Sequence, residues 1–205
     1  MKFSNLFTKF AVLLILQGVT TVHAQGGKLL SSQFYFATVG FGYGRAQINQ
    51  FTQSYLVAPS FDFNLQKGKY YYSIGINSVT EAQLFGGYMP NEHINGINAM
   101  VGKVVHFNKF FCVVKSGIAH VRSTERGMLL ERGTGLFDNS YFQALHKSGI
   151  GVPIMASINW SPIRNASSGI QLFANINTVK NFYGIQLVLH GGRIRETEGK
   201  ANSRF

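Results

Sequence analysis

The two side chains best suited to chemistry lie together. His146-Lys147-Ser148 sets an imidazole and a hydroxyl two residues apart. In an extended strand that spacing puts both on one face, where a histidine base can activate a serine nucleophile. Sites of this kind also use an acid to orient the histidine. Glu131 and Asp138 precede the pair, but the alternating stretches that follow, 150–160, 170–177 and 183–190, hold no Asp or Glu. Ser148 and His146 are therefore a catalytic candidate without its third member, and a chance His-x-Ser is the competing reading. His93, His106, His120, His146 and His190 lie on separate segments with no i,i+4 pair among them. Metal ligands would need such spacing, so neither a metal nor a cofactor is expected. The lone Cys112 excludes a disulfide framework and a Cys-based zinc site.

What positions these residues is a period-two pattern. Tyr35, Val39, Phe41 and Tyr43 alternate with Thr38, Gly40, Gly42 and Gly44. The same alternation recurs over 55–66, 70–77, 97–107, 110–119, 150–160, 170–177 and 183–190, giving eight expected strands of roughly ten residues. One face is apolar, and the other carries Asn, Gln, Ser, Asp and Gly. Strands of this length cross a bilayer when tilted. Aromatic residues gather near strand ends (Tyr35, Tyr55, Tyr70, Phe107, Phe110, Trp160, Tyr183) as an interfacial girdle requires. The expected connections alternate in length. Those at 66–68 and 108–109 are tight and the one at 161–168 is moderate, against long loops at 81–93 and 122–147.

Residues 1–24 read as a signal peptide. Lys2 and Lys9 precede the apolar run 10–16, and Val22-His23-Ala24 supplies a cleavage pattern. Residues 25–192 are the expected barrel and 193–205 a polar tail. Charged residues make up only 13% of the chain and hydrophobic residues 45%, which excludes a disordered polymer. The net charge of +11 suggests nucleic acid, yet no basic helix or dense Lys/Arg run tracks a phosphate backbone, so no nucleic-acid partner is expected.

On its leader, strand count and alternation, the mature chain resembles the small eight-stranded outer-membrane β-barrels of gram-negative bacteria. The resemblance implies an all-β, eight-stranded antiparallel up-and-down transmembrane β-barrel in the cell outer membrane, with both mature termini periplasmic and the long loops extracellular. It departs from that class at the end, because the last expected strand stops near Gly192 while Phe205 closes the chain. His146-x-Ser148 also resembles the His-x-Ser pair of lipid A deacylase barrels.

An eight-stranded barrel is filled by its own side chains. Asp62, Asn64, Asn77, Asn98, Lys115, Asn159, Gln171, Asn175 and Gln186 are the expected polar interior, with Asp62 and Lys115 as a candidate ion pair. A narrow channel lined by the same groups is the alternative. In the long loop, Arg122, Arg126, Arg132, Leu129 and Phe137 are the candidate ligand or partner residues. The leading functional reading is a non-enzymatic outer-membrane barrel, structural or interacting through loops 81–93 and 122–147. Its partners would be membrane lipid and lipopolysaccharide, and a protein met through the loops. The alternatives are a lipid A-modifying hydrolase using Ser148 and His146, and a secreted soluble β-barrel holding a small apolar ligand.

Overall fold

The structure, a computed structural model, describes residues 33–46, 55–82, 87–134, 138–163 and 165–194. The expected leader, Phe137 and the tail beyond Ile194 lie outside the described residues. Strands run β1 Gln33–Ala46, β2 Tyr55–Lys67, β3 Tyr70–Ala82, β4 Tyr88–Met89, β5 His93–Phe107, β6 Phe110–Glu131, β7 Ser140–Ile163, β8 Ala166–Asn177 and β9 Phe182–Arg193. All but β4 pair antiparallel with their neighbours, and the β1–β9 ladder closes a ring of eight. The two-residue β4 stands outside the ring and pairs parallel with β7, Tyr88 opposite Ser140.

Alternation sets which face each side chain meets. Phe41, Phe63, Ile74, Ile97, Ile118, Ile154, Leu172 and Leu187 point outward and are exposed, while the partners between them are buried. An apolar exterior around a polar interior is the reverse of a soluble barrel. That arrangement corrects the reading of a soluble barrel holding an apolar ligand.

One end of the ring is closed by tight turns, here called the turn end. Gly68 (φ 60°) and Asn108 (φ 56°) take the left-handed first position of two-residue turns after β2 and β5. Both are residue types that tolerate that conformation. The third turn also proves tight, since β7 runs to Ile163 and β8 starts at Ala166.

The opposite, or hairpin, end corrects the sequence reading. Residues 122–131 and 140–147 are strand and not loop. β6 has 22 residues and β7 has 24, against 12 to 15 in the other ring strands, so the two form a hairpin rising past the barrel. The 81–93 connection is likewise part strand, with β3 reaching Ala82 and β5 starting at His93. Outside the apolar band nothing requires an apolar outward face, so charged residues there do not exclude strand.

Candidate functional site

Inside the ring, all nine of the interior polar residues selected from sequence have buried side chains. Lys115 Nζ donates to Asp62 Oδ2 at 3.1 Å and to Ser73 Oγ at 3.2 Å, and it lies 5.6 Å from the centre of the Tyr71 ring. Gln186 Oε1 accepts from Ser60 Oγ and Gln171 Nε2, both at 3.1 Å, while Gln186 Nε2 donates to the Ala58 carbonyl at 2.7 Å. His190 sits between Asn159 Oδ1 at 2.8 Å and Thr38 Oγ1 at 2.6 Å. Because the amide oxygen can only accept, Nε2 carries the proton and Nδ1 takes the Thr38 hydroxyl. Asn64 Nδ2 donates to Thr38 in turn, and Asn98 Nδ2 to Asn77 Oδ1.

Apolar clusters bracket this polar layer. Leu56, Val79, Ile94, Val121, Phe173 and Phe182 pack toward the hairpin end. Phe36, Tyr71, Val104, Phe111, Val113 and Ile194 pack at the turn end. The interior glycines admit neighbours instead of leaving space. A Cβ on Gly75 would run into Asp62 and the Phe61 carbonyl, and one on Gly44 would meet a Val79 methyl at 2.8 Å. The interior is a filled core.

Above the ring, Arg126 organises the hairpin. Its guanidinium forks onto Glu81, Nη1 to Oε2 at 2.7 Å and Nη2 to Oε1 at 3.1 Å. Nη1 also donates to the Tyr88 carbonyl at 3.0 Å, and the Arg126 backbone N–H to Glu92 Oε1 at 3.2 Å. The Tyr88 ring centre lies 5.2 Å from the guanidinium and the Phe142 ring 6.0 Å. Segment 87–92 is thereby strapped across the strand ends from β3 to the far edge of β7. There Ser140 N–H donates to the Gly87 carbonyl at 2.8 Å. A second clasp joins β6, β7 and the β8–β9 connection, with Glu125 held by Lys147 at 2.8 Å and Lys180 at 3.5 Å. Partial burial raises the Glu125 carboxyl, but the hydrogen bond from Lys147 and the charge of Lys180 outweigh it and hold the group below the usual carboxylate range.

The other loop candidates are dispersed. Leu129 and its neighbours Met128 and Leu130 are exposed near the hairpin tip, Arg132 is exposed just past β6, and Arg122 faces outward on β6. Arg122 Nε donates to His120 Nε2 at 3.3 Å, and Arg122 lies in register between Asn95 and Ser148. Ser148 and His146 are both exposed on β7. His146 Nδ1 lies 3.1 Å from Thr124 Oγ1, which also meets His93 Nε2 at 3.3 Å. Among the described residues no carboxylate bonds to His146, so the orienting acid is not supplied.

Sequence reasoning missed Glu81, Glu92, Thr124 and Lys180 as partners in these contacts. The scarcity of acids was the available signal. With only eight Asp and Glu in the chain, an acid flanking a long connection had a cation waiting for it.

No protein-family model and no curated protein matches the chain in sequence. Solved structures match in fold. Ail, the attachment invasion locus protein of Yersinia pestis, solved with the heparin analogue sucrose octasulfate, aligns at TM-score 0.52 and 11% identity, over 79% of this chain and 99% of that one. Neisserial surface protein A aligns at TM-score 0.54 and 7% identity, over 78% and 96%. The likeness shows the fold, that of the small eight-stranded outer-membrane β-barrels.

Proposed function

We propose that this chain is a non-enzymatic outer-membrane barrel that holds the β6–β7 hairpin at the cell surface for contact with a macromolecular partner. The supporting observation is the hairpin itself. It rises past a filled ring, two ion-pair clasps brace it, and Met128, Leu129 and Leu130 lie exposed near its tip, Met128 at 71%. A clasped scaffold with an exposed apolar tip suits binding, because little ordering entropy remains to be lost. The turn end, where β1 begins and β9 ends, would face the periplasm.

Lipid is the second partner of this reading. Ile97, Ile118 and Ile150 end the outward apolar band, and His120, Arg122, Asn95 and Ser148 follow directly above. That height suits the headgroup level, where Arg122 would meet lipopolysaccharide phosphates. The anionic sugar analogue bound by Ail is compatible with a cationic rim of this kind. The hydrolase reading is not adopted, since His146 turns to Thr124 and not to an acid.

The test is fractionation with surface proteolysis. The chain should be recovered in the outer-membrane fraction and migrate differently on gels before and after boiling. A protease added to intact cells should cut between β6 and β7. Recovery in the soluble periplasm would overturn the reading.

A further inference from the structure

The β7 strand carries a stretch of bare edge. On the side away from β6, its first residues pair with β4 at 140–141, and its β8 ladder begins only at Gly151. Two hydrogen bonds fix which residues face that side. Ser140 N–H donates to the Gly87 carbonyl, and the Ile150 carbonyl accepts from Thr178 N–H at 3.2 Å. Backbone direction alternates along a strand, and both markers are even-numbered, so Phe142, Ala144, His146 and Ser148 also present their N–H and C=O groups there. The irregularities of the hairpin lie opposite Tyr141–Ala144, but the extra residues are on β6, where Arg126 to Glu131 spans more positions than Ala144 to Tyr141, and the two even-numbered markers on either side keep the alternation of β7 in step. Among the described residues nothing bonds to these four backbones. Such an edge is a template for another strand.

We propose that this gap receives an extended segment of a partner protein, added antiparallel to β7 in continuation of β8. The inference rests on the surface-barrel reading above. Copies of this chain in one membrane are related by rotation about the membrane normal, which cannot turn one β7 antiparallel to another. The occupant is therefore a different polypeptide. Its chemistry follows from the flanks. Leu145 is exposed at the upper part of the gap, while Lys147 and Lys180 share the single carboxylate of Glu125 at the lower part, leaving one positive charge unneutralised. The segment would set an apolar side chain beside Leu145 and acidic ones toward Lys147 and Lys180.

The probe is a fluorescent octapeptide, Asp-Thr-Asp-Thr-Val-Thr-Val-Thr, whose N-terminal acids reach the lower part of the gap in the antiparallel setting, titrated against the full folded chain in detergent and read by anisotropy. Two comparison peptides carry Lys for Asp, or Pro at the Thr positions, whose N–H groups would face the edge. Binding is expected for the first, about ten-fold weaker binding for the lysine form and none for the proline form. Ala144→Pro and Ser148→Pro each remove one edge-facing donor without touching the β6 ladder, and each should weaken binding about ten-fold, the equivalent of one ladder hydrogen bond. Either variant that keeps the heat-modified gel shift carries the test. Failure of the wild-type chain to bind, equal binding of all three peptides, or unchanged binding by a folded proline variant would overturn the proposal. Proteolysis on intact cells reads the parent reading separately. A shielded hairpin with intact peptide binding overturns the location alone, and an exposed hairpin without peptide binding overturns the edge site alone.

Discussion

Lys115→Met tests whether the ring interior is dry. The Lys115–Asp62 pair is separated by 3.1 Å, with the side chains 5% and 1% exposed. At an effective dielectric of about 20, two unit charges at that separation attract by about 5 kcal/mol. Removing one partner of a buried pair destabilises by about 3–5 kcal/mol, because the remaining charge stays out of water. Methionine keeps the stem volume, so the loss isolates the charge. Gly75 abuts Asp62, so the carboxylate has little freedom to swing away. The assay is urea unfolding of the chain refolded into phospholipid vesicles, followed by the fluorescence of Trp160, the single tryptophan, and by gel mobility without boiling. Asp62→Asn should fall by a similar amount, and the double variant should recover most of the loss, since replacing both charges leaves neither stranded. Singles within about 1 kcal/mol of wild type, or strictly additive losses in the double, would mean that the charges are hydrated. The filled-core reasoning would then fail, and an open lumen should show as stepwise conductance in planar bilayers.

Trp160 faces outward at the turn end, 47% exposed, so its emission should shift to the blue on insertion into vesicles and be quenched by brominated acyl chains; emission unchanged from the detergent-free unfolded chain would contradict a lipid-facing exterior. Arg126→Ala removes the bidentate pair on buried Glu81 and the bond to the Tyr88 carbonyl, and should make segment 87–92 the first site of limited proteolysis while the ring keeps its heat-modified mobility. The carboxyl of Glu125 is held below its ordinary value, so its clasp contributes fully above the unfolded carboxylate range near 4.3 and is lost as pH falls through the lower folded value. Proteolysis of the 178–181 connection should therefore rise on acidification below about pH 4, and Glu125→Gln should flatten that profile. Ser148→Ala should leave the acylation of lipid A in the host unchanged, and a changed acylation pattern would restore the hydrolase reading.

The ring was legible in the sequence because lipid and lumen impose opposite demands on successive residues. Ile74 and Ile76 on one side of β3, with Ser73 and Asn77 on the other, leave little choice of register. The Asp62–Lys115 pair was legible for the same reason. Within the expected strands, the inward positions hold these two charges and the interior must pair them. The hairpin escaped because the rule that reveals strands inside the membrane stops at its surface. In Arg122–Glu131 and Ser140–Gly149 neither face need meet lipid, so mixed charge replaces alternation and mimics a loop. The Arg126–Glu81 clasp lies beyond any spacing argument, since it joins residues 45 apart on β3 and β6, across the intervening β5.

The net charge takes on a different meaning once its placement is known. Among the described residues, Asp62 is sealed in the lumen, while Glu81, Glu92, Glu125, Glu131 and Asp138 all lie at the hairpin end, where three of them are tied to Arg126, Lys147 or Lys180. Lys67, Lys69, Lys103, Lys109 and Arg193 ring the turn end. Among the described residues the positive excess, 12 Lys and Arg against 6 Asp and Glu, is thus largely an excess at one rim. A nucleic-acid binder concentrates charge on a face that a helical or extended phosphate chain can follow. A circle of cations just past an apolar band faces a plane of headgroups instead, each cation contributing about 1 kcal/mol near an anionic surface. The same separation explains the low charged fraction. The band between the two rims faces lipid and its interior admits one ion pair, so nearly every charge must sit at one rim or the other.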